Sequence, residues 1–270
     1  MQILLQWPIK FIKIGSNLIL FVPKKSLGQN FLKDRNISKK IVKLSENLNK
    51  KIIIEIGPGL GFLTEELIKQ KPKKIILIEK DKHLYDILVS KFLKHKNIEI
   101  INADALNYKF SLIKGPKSVI ANLPYNISVK LIFNCLNPKN NFDELIFMIQ
   151  KDVATKMNYK KNIKSNRLNV MMEMTGDYYI AFDVSNNVFY PKPKVSSSVI
   201  KIIPKNHKSF NIKKFESFTR ELFQNKRKKI SNLNIIKKLR NKNIMINETI
   251  LDMRAEDLNI KEIKKLFNKY

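Results

Sequence analysis

The chain has 270 residues, 44% of them hydrophobic, with 52 Lys and Arg against 23 Asp and Glu, a formal net charge of +29. The hydrophobic content excludes a disordered chain, and the length allows one medium domain plus a smaller one. The single cysteine, Cys135, excludes an internal disulfide and a thiolate metal cluster, and the scattered His83, His95 and His207 argue against a structural metal site, so a reduced, cytoplasmic setting without a metal is expected. A/T-rich codons would enrich Lys, Asn and Ile together, but they would also supply acids. So large a basic excess points to a polyanionic partner, nucleic acid before membrane.

In chain order, residues 1–23 carry two apolar runs broken by Pro8, Lys10 and Lys13. Neither approaches the ~20 apolar residues of a membrane span. No small-residue cleavage site follows the second run, so 1–23 is read as an extension outside the domain core. Next come Lys24-Lys25-Ser26-Leu27-Gly28-Gln29-Asn30-Phe31-Leu32 and a helix opened by Asp34 and Asn36, whose Ile37, Ile41, Leu44 and Leu48 share one face. Short apolar runs then alternate with helical patterns. Strands are expected at 52–56, 74–78, 98–101, 118–121 and 145–149, a rhythm that predicts an α/β fold with a parallel, doubly wound sheet. Two more strands are expected at 178–184 and 197–203, and only helices from about His207 onward. The expected domains are 24–204 and 205–270.

Ligands in such sheets sit beyond the carboxyl ends of the strands. Gly57, Glu79, Asp104 and Asn122 all fall at predicted strand ends. Gly57-x-Gly59-x-Gly61 lets backbone pass close to a ligand, but its third glycine comes one residue too early for the dinucleotide fingerprint. With Glu55 before it, the loop better suits a ligand without a pyrophosphate, such as S-adenosylmethionine. Glu79, roughly 20 residues on, is positioned to accept from ribose hydroxyls. A plain alternative is a solvated charge in the Glu79-Lys80-Asp81-Lys82 run. Asp104 is either an acceptor for an adenine amine or an ordinary loop aspartate. Asn122-Leu123-Pro124-Tyr125 combines an amide, a stiff turn and an aromatic face. The Asn122 oxygen and the Leu123 or Pro124 carbonyl suit the two N–H bonds of an adenine amine, and Tyr125 suits stacking on the base. No acid lies between Asp104 and Asp143, so no local general base is indicated.

Taken together, Gly28–Leu32, Glu55-Ile56-Gly57-Pro58-Gly59-Leu60-Gly61, Glu79-Lys80-Asp81, Asp104-Ala105-Leu106 and Asn122–Ser128 resemble the ribosomal RNA small-subunit adenine dimethyltransferase family. Met148–Ala154, Phe189-x-Pro191-x-Pro193-Lys194-Val195 and Arg254–Leu258 extend the likeness over about residues 24–270. The resemblance implies a class I, Rossmann-like methyltransferase sheet with a small all-helical C-terminal domain. It implies an enzyme that uses S-adenosylmethionine to dimethylate two adjacent adenosines near the 3′ end of small-subunit ribosomal RNA. Carried over by position, Asn30, Leu32, Gly57, Glu79, Asp104 and Asn122 contact the cofactor, with Glu55, Gly59 and Gly61 completing that wall. Asn122, Leu123, Pro124 and Tyr125 hold the target base, and Phe189 covers its other face; from the residues alone, Phe189 reads equally as core. Lys192 and Ser196 stand where the family usually has proline and aspartate.

The expected partners are small-subunit ribosomal RNA and the immature small subunit, bound by a monomer. Lys24-Lys25, Lys160-Lys161 and Lys226–Lys229 are candidates for contacting phosphates, or else ordinary solvated lysines. Two other readings belong beside this one. A sister group dimethylates one adenosine of large-subunit RNA, with serine and lysine in its glycine loop where this chain has Pro58 and Leu60. A non-catalytic RNA-binding assembly or transcription factor on the same fold is the other.

Overall fold

The structure is a computed structural model that describes residues 10–14, 17–21, 23–159, 164–205, 210–225, 227–241 and 243–270. Residues 1–9, the Lys160-Lys161 pair and Lys226 therefore lie outside the described residues. Within the extension, β1 (Lys10–Ile14) and β2 (Asn17–Phe21) pair antiparallel.

The short strand β3 (Phe31–Leu32) precedes α1 (Arg35–Val42). There follow β4 (Ile52–Ile56), α2 (Phe62–Lys69), β5 (Lys74–Glu79), α3 (Lys82–Phe92), β6 (Ile98–Asn102), β7 (Lys117–Asn122), α4 (Ser128–Cys135), β8 (Glu144–Gln150) and α5 (Lys151–Met157). After α6 (Arg167–Thr175) come β9 (Gly176–Val184), β10 (Phe189–Tyr190) and β11 (Ser197–Pro204), then α7 (Ile212–Phe223), α8 (Asn234–Arg240), α9 (Glu248–Asp252) and α10 (Ile260–Lys269).

The runs of Ile, Val and Leu form strands because branched side chains pack well on a pleated surface covered on both faces. Seven strands form one sheet in the order β6-β5-β4-β7-β8-β11-β9. The pairs β4–β5, β5–β6, β4–β7 and β7–β8 are parallel, and β11 returns antiparallel to β8. From β4 the chain builds outward through β5 and β6, then crosses back to add β7 and β8. The sheet order thus reverses between β4 and β7, and a ligand crevice opens at such a switch point. Ile53, Ile75, Leu77, Ile120, Ile146 and Met148 fill the core around the sheet.

One sequence expectation is corrected here. The helix drawn through Leu48 stops at Val42, and Leu48 begins a separate turn after Asn47, which adopts a left-handed conformation (φ 54°). The Lys201 ammonium donates to the Leu44 carbonyl at 2.7 Å and satisfies the backbone that further helix would have paired.

By contacts the chain divides into two compact units, 1–152 with 179–204, and 153–178 with 205–270. The continuous block expected over 24–204 is therefore interrupted. Residues 153–178 join the C-terminal helices: Arg167 on α6 pairs with Glu216 on α7 at 2.9 Å, and the Ser165 hydroxyl donates to the Leu258 carbonyl at 2.6 Å. In this second unit Phe215 meets Phe267 edge to face, with ring centroids 4.8 Å apart. No helix among the described residues is long and apolar enough to cross a membrane.

Candidate active site

A cleft of about 170 Å³ lies at the carboxyl ends of β4, β5 and β7 and in the loop after β6, all within the first unit. Its wall includes the glycine loop, Glu55, Glu79, Asp104 and the Asn122–Tyr125 turn, and the Ser26–Leu32 segment lines it as well. Of the cofactor residues expected from sequence, Asn30, Leu32, Glu55, Gly57, Gly59, Glu79, Asp104 and Asn122 line this cleft; Gly61 does not, although its neighbours Leu60 and Phe62 do.

The loop after β4 needs glycine. Gly59 has φ +58°, and a Cβ there would stand 2.7 Å from the Phe31 ring. Gly61, at φ +80°, starts α2, and its Cβ would meet the Phe92 ring at 2.8 Å. Left-handed backbone disfavours any side chain at these positions, and the neighbouring rings leave no room for one.

Each acid has a defined setting. Glu79 is buried at the tip of β5 and accepts from the Asp81 amide at 2.8 Å and the Gly59 amide at 3.3 Å. Burial still pushes its carboxyl above the usual range, against the pull of these bonds. Asp104 accepts from the Leu106 amide at 3.0 Å and from the Lys80 ammonium at 2.9 Å, and the lysine holds its carboxyl below the usual range. Asp104 is thus both a turn-forming aspartate and part of the cleft wall. Glu55 is 2% exposed, and burial drives its carboxyl up to about 8, although Thr64 donates to it at 2.7 Å.

In the Asn122 turn, the side-chain amide N–H donates to the Asn30 carbonyl at 3.0 Å. An amide so used turns its oxygen away from that partner. The Leu123 amide donates to Met148 at 3.1 Å, tying the turn to β8, and the Pro124 carbonyl accepts from Ile127 at 3.2 Å. Among the described residues none donates to the Leu123 carbonyl. The Tyr125 hydroxyl lies 2.7 Å from Ser197 Oγ on β11, which fixes the ring's tilt, and burial raises its pKa.

Phe189 is the exception to the sequence expectation. It is 2% exposed and packs in the core with Leu32, Ile41 and Val199 instead of facing the cleft. Its strand β10 pairs with β3, with Phe189 opposite Leu32. The reading of Phe189 as core is the one that fits its burial.

Other residues that build the site carry little sequence signal. Asp81 caps α3 through the His83 amide at 3.1 Å and also accepts from Lys24 at 2.9 Å and Gln29 at 3.0 Å. It thereby clamps the Gly28–Leu32 segment onto the tip of β5. Asp81 lay in what reads as a plain charge run, and only the recurrence of Glu79-Lys80-Asp81 as a unit hinted at it. Ser197 offered no signal for its contact with Tyr125.

Comparison with known proteins gives a consistent outcome. The family model for ribosomal RNA adenine dimethylase matches residues 21–270. A ribosomal RNA small subunit methyltransferase A from Mycoplasma capricolum is 39% identical over 259 residues, 91% of this chain and 96% of that protein. Its namesake from Sulfurihydrogenibium is 35% identical over 252 residues, 91% and 95% of the two chains. Among solved structures, a dimethyladenosine transferase from Plasmodium falciparum aligns with a TM-score of 0.73 at 26% identity, covering 88% of this chain and 98% of that one. The 23S rRNA methyltransferase ErmE shares the fold, with a TM-score of 0.64 at 22% identity over 88% and 98%.

Proposed function

The chain belongs to the ribosomal RNA adenine dimethylase family, and from that membership we propose that it transfers methyl groups from S-adenosylmethionine to N6 of two adjacent adenosines near the 3′ end of small-subunit ribosomal RNA. The product is N6,N6-dimethyladenosine, made on the immature small subunit in the cytoplasm by a monomeric enzyme. The names of the relatives support the small-subunit substrate, and the basic excess supports an RNA partner.

The residues of the cleft fit the cofactor. Glu79 has lone pairs left beyond its two backbone bonds for a ribose diol, and Asp104 suits an exocyclic amine. The bare glycine loop allows close backbone approach. When bound, S-adenosylmethionine supplies an electrophilic methyl carbon on a sulfonium.

The observation that carries the reading is the commitment of the Asn122 N–H to Asn30. It leaves the Asn122 side-chain oxygen as an acceptor. With the Pro124 carbonyl already engaged by Ile127, the Leu123 carbonyl is the natural second acceptor. Two acceptors on one adenine amine draw its N–H bonds out of the ring plane and localise the lone pair that conjugation otherwise withholds. Tyr125 stacks on the base, worth roughly 1–3 kcal/mol. Alignment of nitrogen and methyl supplies much of the remaining acceleration, up to ~7–11 kcal/mol for well-oriented reactants. No base is needed before transfer, because the methylated ammonium is acidic and loses its proton to solvent afterwards. The base must first leave any stack, at a cost of a few kcal/mol that a loop or an immature particle reduces.

Reverse transcription of unmethylated small-subunit particles, incubated with protein and cofactor, tests the proposal. Dimethylated adenine lacks its pairing protons, so polymerase stops at two neighbouring positions are expected. A stop only in large-subunit RNA selects the sister reaction instead, and no stop in either RNA selects the non-catalytic assembly factor.

A further inference from the structure

Glu55, the next-to-last residue of β4, bonds to Thr64 of α2 and contributes to the cleft wall. One oxygen accepts from the Thr64 hydroxyl at 2.7 Å; among the described residues nothing donates to the other. The charges around it come from several elements. Glu79 on β5 repels its anion, and Lys91 on α3 attracts it. Lys91 is already held by Glu65 of α2 at 2.6 Å and by the Leu60 carbonyl at 2.7 Å. Glu66 of α2 pairs with Lys69 at 2.5 Å, Asp104 pairs with Lys80 at 2.9 Å, and β7 ends here in the neutral Asn122. A buried carboxyl with a single hydroxyl donor, no cation of its own and a second carboxyl nearby is poorly supported as an anion.

We propose that Glu55 holds a proton while the cleft lacks its cofactor and releases it to solvent when the cationic cofactor binds, its carboxylate then serving as that cation's counter-charge. This rests on the S-adenosylmethionine reading above. The cofactor has two cationic centres, the sulfonium and the α-ammonium, and either one would draw the proton off. The charges balance: one cation enters the cleft wall, one proton leaves, and Glu55 gains one negative charge. The same setting disfavours any neutral occupant of the cation's place, because a neutral group leaves Glu55 protonated and contributes no ion pair.

With its carboxyl pushed up to about 8, Glu55 is about three-quarters protonated at pH 7.5. Calorimetric titration of the full chain with S-adenosylmethionine at that pH, in phosphate and in Tris, reads the protons released. Release of up to about 0.7 proton per cofactor is expected, and affinity should strengthen between pH 6 and 8 by up to about tenfold per unit. Glu55→Gln keeps an acceptor for Thr64 and should lose both the release and the pH dependence. Thr64→Val removes a bond that favours the anion, so its release should move to higher pH. S-adenosylhomocysteine, which keeps the α-ammonium and lacks the sulfonium, locates the cation: release with both compounds assigns it to the ammonium, and release with S-adenosylmethionine alone to the sulfonium. Wild-type binding without proton release, or equal release from Glu55→Gln, overturns the proposal. Failure of the wild type to bind S-adenosylmethionine overturns the cofactor reading instead.

Discussion

Asn122 reaches the cleft with half of its amide already in use. Because its N–H is bonded to Asn30, the oxygen has a set direction before any substrate arrives, and preorganised dipoles are the ones that accelerate a reaction. Asn122→Ala should lower the rate of methyl transfer by on the order of 10²–10³-fold, the usual cost of removing one such group. Single-turnover transfer to small-subunit RNA, followed by mass spectrometry of the nucleosides, measures it; wild-type rates would remove Asn122 from the amine-binding role. Among single residues, the legible ones were those whose type and place are both unusual, such as an asparagine ending a buried strand. Phe189 failed that test. An aromatic beside prolines suits a core position as well as a base platform, and only its burial against Leu32 and Ile41 separates the two.

At the scale of elements, the Gly28–Leu32 segment is stitched to several strand tips. Gln29 binds Asp81 beyond β5, the Phe31 ring covers Gly59 beyond β4, and the Asn30 carbonyl holds Asn122 at the end of β7. The cleft is therefore closed on one side by a segment that precedes the sheet in sequence. Gly59→Ala tests this arrangement. Its Cβ would enter the Phe31 ring at a left-handed backbone position, a conformational cost of about 1–2 kcal/mol before the ring is displaced. A lower melting temperature together with weaker S-adenosylmethionine binding is expected in a thermal-shift titration, and no change in either would contradict the close approach. The sheet and most helices were readable because branched runs and helical stripes are local patterns. The overlong first helix was not: Leu44 and Leu48 lie in register with its stripe, yet Lys201, far along the chain, caps the carbonyl where it stops.

For the whole molecule, stability against pH joins two buried carboxyls at opposite ends of the sheet. Glu144, at the start of β8, accepts from Ser45, from Lys51 at 2.9 Å and from Lys201 at 2.8 Å, and these bonds hold its carboxyl below the usual range despite burial. Its folded pKa is below the unfolded one, so its contribution is present above the unfolded value and lost as pH falls through the folded value. Glu55 works the other way. With its folded carboxyl pushed from the ordinary glutamate range up to about 8, its contribution is complete below the unfolded value and lost as pH rises through about 8. The cofactor-free protein should therefore be most stable in mildly acidic solution, with its melting temperature falling on both sides. Glu55→Gln should flatten only the alkaline side, and Lys201→Met should weaken the acid side's dependence on Glu144. Calorimetric melts from pH 4 to 9 would show whether the two limbs separate in this way.

The α/β order, the strand ends that carry Gly57, Glu79, Asp104 and Asn122, and the family are all legible in the amino-acid order, because periodicity, glycine spacing and motif order are written along the chain. Which partners hold those residues is settled by the fold. The Gln29–Asp81, Tyr125–Ser197 and Asn122–Asn30 bonds join residues 52, 72 and 92 positions apart. The sheet brings each pair together, and no local pattern encodes such a meeting. The same holds for the burial of Phe189 and for the raised carboxyl of Glu55: each depends on the environment the folded chain builds around a side chain whose identity leaves both outcomes open.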